Sequence, residues 1–463
     1  MGKLKDILDH PDEFMPMVRM YFEHRKATRL PSDRGLAFCY EILNSVSRSF
    51  SVVIQQLPSS LRDAVCVFYL VLRGLDTVED DMGIPLEEKL PLLKSFHEKI
   101  YDRGFTLDYG TDHYKRLLNQ FGTVSDVFLG LEDTFKDTIA DICKRMGYGM
   151  AEFIEKEVVT VEDFDLYCHY VAGLVGVGLS KLFAGSGLEN QEFQSLESLS
   201  NEMGLFLQKT NIIRDYLEDI EEEPAPRMFW PRDVWGLYGK ELEDFKAPEN
   251  REGAIKCLNH LITDALRHVP SCFEYMGKLK DPMIYRFCAI PQVMAVGTLA
   301  LCYNNGKVFE GVVKMRRGET CVVFDRLQSF EELYKLFHHH VGIIGAKCQG
   351  IPTGKDPNIK NTLQIVEQIE DLCVDNLKRL DVKTDTLGKT PVENKPIEWW
   401  VRALVLFFTL GYVAYAFGVG DVRESLGVKP NAGNWMVDSI QRVFALLLLL
   451  VGGVWVGLLG KRV

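Results

Sequence analysis

The chain has 463 residues, of which 47% are hydrophobic and 25% charged, with a formal net charge of −12. This composition is typical of a globular protein with a sizeable core and excludes a disordered one. The acidic balance argues against nucleic acid as a partner, because phosphate binding requires a basic face. The eleven cysteines include no Cys-x-x-Cys pair. Neither a disulfide framework nor a zinc site is therefore predicted, and a reducing compartment is expected.

The periodicity from Arg34 to about Asn376 is mainly helical. Two stretches, Val312–Val313 and Val322–Phe324, suggest short isolated strands. Apolar runs of a length typical of buried helices occupy 65–75, 170–183, 203–213 and 287–302. The sequence therefore predicts an all-α fold.

The C-terminus has a different composition. Residues 381–396 lack apolar periodicity, so they are predicted to link a single large helical domain at 1–380 to a membrane anchor at 397–463. Within the anchor, 403–420 and 443–460 are uncharged and mostly apolar, at the lower end of the length that spans a bilayer. The anchor is predicted to contain one or two transmembrane helices, with buried core helices as the alternative. Lysines and arginines flank the pair, which would place both ends of a hairpin in the cytosol.

Two groups of carboxylates carry the main chemical signal. Each is a triplet at positions i, i+3 and i+4: Asp76, Glu79 and Asp80 in the first, and Asp215, Glu218 and Asp219 in the second. This spacing puts three like charges on one helix face, where a divalent cation such as Mg²⁺ would relieve their repulsion. The alternatives are a solvated acidic face or local salt bridges to Arg73 and Arg214. Each arginine would neutralise one carboxylate but not three.

Seven short sequences around these carboxylates resemble the squalene synthase family of head-to-head isoprenoid diphosphate synthases. The two acidic ones also resemble the wider group of trans-isoprenoid diphosphate synthases. The seven follow the family's order: VSRSF at 46–50, LRGLDTVEDD at 72–81, YCHYVAGLVG at 167–176, FLQKTNIIRDYLED at 206–219, PRMFWP at 226–231, FCAIPQ at 287–292 and VKMRRG at 313–318. The resemblance extends from about residue 35 to about residue 375.

The resemblance implies a helical isoprenoid-synthase-type domain and a reaction in two steps. Two farnesyl diphosphates join head to head to give presqualene diphosphate, which NADPH then reduces during a rearrangement to squalene. By motif, the family's catalytic and Mg²⁺-binding carboxylates match two sets here: Asp76, Glu79 and Asp80 at one end, and Asp215 and Asp219 at the other.

Two aromatic residues match catalytic positions of the family. Tyr167 matches a tyrosine that would take or give a proton as the first allylic cation is quenched. From the residues alone it reads as a core tyrosine, and Tyr170, three residues on, is a rival. Phe287 matches an aromatic of the second-step pocket, where a ring face stabilises a carbocation. A plain core role is compatible with that function.

The NADPH site is predicted from the resemblance, because the sequence has no Gly-x-Gly-x-x-Gly unit between a strand and a helix. Gly173, Gly176 and Gly178 have another spacing, and we expect them to allow close helix packing. The cofactor residues implied by the family match Arg48, Arg73, Arg214, Lys314 and Arg316. Without the family, the basic cluster at 314–317 would be read as a solvated loop.

Three other interpretations stay open. A related head-to-head synthase would be of the phytoene type, with a longer substrate and no NADPH, or would release presqualene diphosphate or another C30 hydrocarbon. A non-catalytic, membrane-anchored binding protein would be expected to lose carboxylates or the basic cluster. A chain-elongating prenyltransferase more often has Asp-Asp-x-x-Asp.

The family also implies the partners and the location. We expect two molecules of farnesyl diphosphate, contact with a membrane through the C-terminal helices, no nucleic acid and a monomer. The expected location is the endoplasmic reticulum membrane, with the catalytic domain facing the cytosol.

Overall fold

Several helices begin at capping residues that satisfy free backbone N–H groups of the first turn. The Asp281 carboxylate accepts hydrogen bonds from the backbone of Met283 at 2.8 Å and Ile284 at 3.0 Å. Pro282 occupies the first turn there, where a missing N–H costs nothing. Thr160 and Asp163 form a reciprocal capping box at the start of another helix. These local signals fix where the helices around the candidate site begin.

The computed structural model describes residues 9–27, 30–223, 226–384 and 387, and residues 24–389 form one compact unit. Its α-helices, in chain order, are α1 Phe14–Ala27, α2 Arg34–Val46, α3 Arg48–Gln56, α4 Ser59–Asp80, α5 Leu86–Lys99, α6 Asp112–Asn119, α7 Phe121–Leu129, α8 Asp133–Phe153, α9 Val161–Cys168, α10 Leu174–Gly185, α11 Glu197–Arg214, α12 Tyr216–Ile220, α13 Arg232–Trp235, α14 Arg251–Leu266, α15 Val269–Gly277, α16 Pro282–Cys302, α17 Arg317–Arg326, α18 Phe330–Gln349 and α19 Ile359–Arg379. A π-helical turn, His169–Gly173, joins α9 to α10, and 3-10 turns occupy Pro11–Glu13, Gln191–Gln194, Leu242–Lys246, Pro248–Asn250 and Gly306–Phe309.

The all-α prediction is confirmed, because the described part of the chain contains no strand. The two suggested strands are wrong. Val322–Phe324 belongs to α17, and Val312–Val313 lies in the irregular segment before it. Val323 and Phe324 are buried, so tertiary packing has decided the conformation of a short apolar run that periodicity alone left ambiguous.

Glycines let the central helices approach closely, as the sequence predicted. A Cβ atom at Gly176 would overlap the carbonyl oxygen of Ser200, and one at Gly204 would overlap that of Ala172. Gly178 faces the ring of Phe68 in the same way. The backbones of α10 and α11 therefore lie against each other, and α4 packs on α10.

Two described segments are long and apolar enough to cross a membrane, but both belong to the helical core. Val161–Gly185 is 50% buried and Pro282–Cys302 is 78% buried over the apolar window. The predicted spans at 403–420 and 443–460, and most of the linker at 381–396, lie outside the described residues. The boundaries predicted for the domain, linker and anchor stay predictions.

Candidate active site

A cavity of about 290 Å³ lies between α4, α10, α11 and α16. Most of the side chains in its wall are apolar. Charged groups line it only where α4 approaches its C-terminus, at Arg73 and Asp76. Gln208 and Asn211 line it from α11, and Asn211 lies one turn before Asp215. The cavity therefore extends from the first predicted carboxylate motif into the apolar interior.

The first carboxylate triplet occupies the last turns of α4. Asp76 pairs with Arg73, with 3.4 Å between the guanidinium and carboxylate atoms. Burial raises the pKa of Asp76 to about 6, although Arg73 lowers it in part. Burial also raises the pKa of Glu79, against the lowering effect of Arg227. These carboxylates are therefore under-neutralised in the protein alone.

Arg227 is a functional candidate that the sequence analysis missed. Its guanidinium pairs with Glu79 at 2.5 Å and also with Asp80, and its backbone N–H donates to the Asp219 carbonyl at 3.0 Å. It therefore links the first carboxylate group to the second. Arg227 lies in PRMFWP, which resembles the family but assigns no role to the arginine. Its charge could have indicated one, because Arg227 is the only basic residue between Arg214 and Arg232 and follows a strongly acidic stretch.

The second triplet begins at a helix junction and not inside one helix. The α-helix α11 ends at Arg214 and α12 begins at Tyr216, with Asp215 between them. Helix-type hydrogen bonds continue across the junction, since the Asp219 N–H donates to the Asp215 carbonyl at 3.0 Å. The predicted common face is therefore kept.

The electrostatics of the second triplet resemble those of the first. The Arg214 guanidinium contacts the Asp215 carboxylate at 2.7 Å. Burial raises the pKa of Asp219 to about 7, and neighbouring Asp215 and Glu222 add to that effect. Local salt bridges to Arg73 and Arg214 thus exist, as the alternative interpretation required. However, none of the ion pairs in the described part of the chain joins Asp219 to a basic side chain.

Tyr167 and Tyr170 occupy different surroundings. Tyr167 is 6% exposed and stacks on Phe229, with ring centroids 3.8 Å apart. Burial and the charge of Glu79 raise its pKa, which keeps the phenol protonated near neutral pH. Tyr170 instead places its hydroxyl 3.3 Å from a Glu152 carboxylate oxygen on the exposed side of the helix. Of the two, only Tyr167 lies close enough to Glu79 and Arg227 for their charges to act on its pKa.

Phe287 lines the cavity from α16 and meets Phe183 edge to face, with 6.1 Å between ring centroids. It is 6% exposed, so a core role and a cavity role coincide. A second cavity of about 200 Å³ adjoins the first and is lined by Arg214 and by Phe324 of α17. Both cavities share Phe50 and Asn211 in their walls.

The predicted cofactor residues are not all brought together. Arg73 and Arg214 lie at the carboxylate motifs, as described above. Lys314 and Arg316 are exposed in the segment that leads into α17, which also contributes to the second cavity. The side chain of Arg48 lies outside the described part of the structure.

Another acidic cluster resembles a metal site more closely in its geometry than the two predicted carboxylate triplets do. Asp165, Asp264 and His268 bring ligand atoms within 4.8 Å of one another. However, Lys209, which is 0% exposed, pairs with both aspartates, and Arg267 pairs with them from the other side. With two cations already present, the cluster is an internal salt-bridge network. It connects α9, α11 and α14.

The fold and the site together define the class. An all-helical domain with an apolar cavity that has a carboxylate motif at one end, and a second such motif linked to the first through Arg227, is the architecture of an isoprenoid-diphosphate synthase. The family model described as "Squalene/phytoene synthase" matches residues 43–319, more than half of the chain. The chain belongs to the squalene/phytoene synthase family.

Similar proteins narrow the comparison further. The chain is 49% identical over 464 residues to "Squalene synthase LSS" of Botryococcus braunii, covering 99% of both chains. It is 54% identical over 427 residues to "Squalene synthase 2" of Panax ginseng, covering 92% of this chain and all of that one. The solved complex of TcSQS with the ligand BPH1237 superposes with a TM-score of 0.72 at 44% identity. That match covers 74% of this chain and 99% of that chain.

Proposed function

We propose that this chain joins two farnesyl diphosphates head to head to presqualene diphosphate, and then converts that intermediate to squalene with NADPH. The observation that carries the proposal is the apolar cavity between α4, α10, α11 and α16, which Asp76 of the first carboxylate group lines at one end. Arg227 links that group to the backbone of the second. Such a cavity holds a long isoprenoid tail in the interior. It also keeps the diphosphate at the charged end and water away from a carbocation.

Mg²⁺ suits the residues at the charged end. Oxygen ligands are what Mg²⁺ prefers, and Asp76 and Asp219 are carboxylates whose raised pKa shows that a further cation would stabilise their ionised forms. Asp76, Glu79 and Asp80 would hold the metal on one side, and Asp215 and Asp219 on the other. When bound, Mg²⁺ would stabilise the negative charge that develops on the leaving diphosphate.

Arginines would complete the diphosphate site. Arg73, Arg214 and Arg227 each contact a motif carboxylate, and a guanidinium binds phosphate oxygens with the same planar donors. Arg227 would orient the diphosphate because its guanidinium contacts Glu79 and Asp80, while its backbone N–H donates to the Asp219 carbonyl. The ion pair of Arg73 favours this role over binding of NADPH, whereas Arg214 also lines the second cavity and would serve both sites.

Tyr167 would act on the proton that the first step releases. A neutral phenol held beside Glu79 and Arg227 can accept a proton on its oxygen while passing its own to a neighbouring acceptor. Phe287 would serve the second step, since a ring face stabilises a desolvated cation by up to about 2 kcal/mol.

NADPH would bind at the second cavity. Arg214 in its wall, and Lys314 and Arg316 in the segment before α17, would pair with the phosphates of the cofactor. Arg48 is the remaining residue that we propose for this site. The shared wall at Phe50 would bring the nicotinamide close to the isoprenoid.

We also propose that residues 397–463 anchor the enzyme, as a monomer, in the endoplasmic reticulum membrane with the catalytic domain in the cytosol. Support comes from the uncharged apolar segments and their flanking basic residues. Removing these residues is expected to release the activity from the membrane fraction.

The test is product analysis of the full chain in detergent micelles, supplied with farnesyl diphosphate and Mg²⁺, with and without NADPH. Mass spectrometry should find squalene with NADPH and presqualene diphosphate without it. Asp219→Asn, which keeps the size and removes the charge, should abolish both products. Another C30 hydrocarbon would keep the first step but change the second. A folded protein that consumes no farnesyl diphosphate would refute the proposal.

A further inference from the structure

Three buried hydroxyl groups form a connected chain inside the apolar core. Ser180 lies 2.7 Å from the Ser200 hydroxyl and 2.7 Å from the Tyr275 hydroxyl. The three side chains are only 1%, 1% and 2% exposed, respectively. The Ser200 hydroxyl can also donate to the Leu196 carbonyl at 2.7 Å, so the chain ends on a backbone acceptor. Buried polar groups satisfied in this way hold their side chains in one position.

This hydroxyl chain lies at the end of the main cavity farthest from the carboxylates. Ser200 and Tyr275 both line the cavity. On α11, Ser200 precedes the lining residue Asn211 by eleven positions, which is about 16 Å at the helical rise of 1.5 Å per residue. On α4, Val65 precedes Asp76 by the same interval and also lines the cavity. The two helices thus give the cavity a charged end and a closed end.

Tyr275 is the large side chain at the closed end. Its hydroxyl is tied to Ser180, and its ring meets Phe193 edge to face at 5.4 Å between centroids. Phe193 is itself 1% exposed and does not line the cavity, so it is the next layer of the core. A rotation of the tyrosine ring out of the cavity wall would break this hydrogen bond.

We infer that Tyr275 is the stop that limits the length of the isoprenoid tail. The inference rests on the proposed function, since it concerns the tail of the same diphosphate substrate. A tail with one more isoprene unit, C20 in place of C15, would press on a ring that the Ser180 bond holds in place. Close-packed interiors do not yield to extra methylenes, so the longer substrate is rejected by steric exclusion.

The decisive variant is Tyr275→Leu, which removes the ring but keeps an apolar side chain. We expect the ratio of kcat/KM for geranylgeranyl diphosphate to that for farnesyl diphosphate to rise at least about tenfold. Tyr275→Phe loses the bond to Ser180 but keeps the ring packed on Phe193, so its ratio should rise less than that of Tyr275→Leu, by at most about threefold. Tyr334→Leu removes another buried tyrosine, 6% exposed and outside the cavity wall, and should also leave the ratio unchanged.

The outcomes separate clearly. An unchanged ratio in folded Tyr275→Leu overturns the inference, and so does a change in Tyr275→Phe equal to that in Tyr275→Leu. A measurement on the wild type does not depend on the folding of any variant. With Mg²⁺ present, the C20 thiodiphosphate should bind at least about tenfold more weakly than the C15 thiodiphosphate. Equal binding overturns the stop. If the wild type binds the C15 analogue in preference to the C20 analogue but turns over no farnesyl diphosphate, the proposed function is refuted and the inference about Tyr275 stands.

Discussion

Lys209 offers the sharpest test of the electrostatic reasoning, because its ammonium group is 0% exposed. It pairs with Asp165 on α9 and with Asp264 on α14, and lies over the ring of Phe164 at 5.0 Å. Replacing it with methionine keeps the length of the side chain and removes the charge. Two aspartates, 28% and 13% exposed, would then share only Arg267.

The expected loss is about 3 kcal/mol in the free energy of unfolding. Removing one partner of a buried ion pair costs about 3–5 kcal/mol, because the other charge is left buried and uncompensated. The lower end applies here, since Arg267 still contacts Asp264 at 2.8 Å. Arg267→Met is the matched control, as it removes a cation that is 44% exposed from the same network. It should cost at most about 1 kcal/mol, because solvent screens an exposed pair.

Denaturation in urea, followed by circular dichroism, measures both losses. The pH dependence adds a second readout. Burial alone would raise the pKa of Asp165, but Lys209 and Arg267 outweigh it and lower that pKa. A lowered pKa stabilises the fold above the unfolded-state value of about 3.9, and the contribution disappears as the pH falls through the folded-state value. The deficit of Lys209→Met should therefore be largest near neutral pH and shrink in acid. A loss below about 1 kcal/mol, or no larger than that of Arg267→Met, would refute the reasoning.

Three further outcomes are expected. Arg227→Gln should lower kcat/KM for farnesyl diphosphate at least about 100-fold, because the cation that contacts Glu79 is lost. Arg227→Lys restores a positive charge and should recover part of the lost kcat/KM; equal activity of the two variants would contradict a role for the guanidinium. Tyr167→Phe should slow the formation of presqualene diphosphate at least about 100-fold while its affinity for substrate, measured by analogue binding, stays within about threefold. The raised pKa values of Asp76, about 6, and Asp219, about 7, mean that protons compete with Mg²⁺, so calorimetry should show tighter Mg²⁺ binding and less proton release as the pH rises through this range. An affinity for Mg²⁺ that does not change with pH would contradict this competition between protons and Mg²⁺.

The fold was largely predictable from local signals. The apolar runs 65–75, 203–213 and 287–302 lie within helices. The short segment Val322–Phe324 was not predictable, because three apolar residues fit a strand and a buried helix equally well. Its burial against other helices decided the outcome.

The site was predictable only where its residues are close in sequence. The spacing i, i+3 and i+4 predicts by itself that three carboxylates lie on one face of a helix. The pairing of Arg227 with Glu79 joins residues 148 positions apart, and no periodicity connects them. The same holds for Lys209 with Asp264, 55 positions apart, and for Ser180 with Tyr275, 95 positions apart. Such contacts depend on how helices pack, which one sequence does not specify.

The position of the carboxylates on their helices is a reason to expect bound cations at this end of the cavity. Asp80 is the last residue of α4, and Asp215 directly follows the end of α11. The C-terminus of a helix carries a partial negative charge, so Asp80 and Asp215 add to a field that already repels anions. A diphosphate could not bind there by itself. Arg73, Arg214 and Arg227 supply fixed positive charge, and the pKa values of Asp76 and Asp219 remain raised in spite of them. The charge that is still missing is therefore positive, which is the physical reason for expecting Mg²⁺ to accompany the substrate.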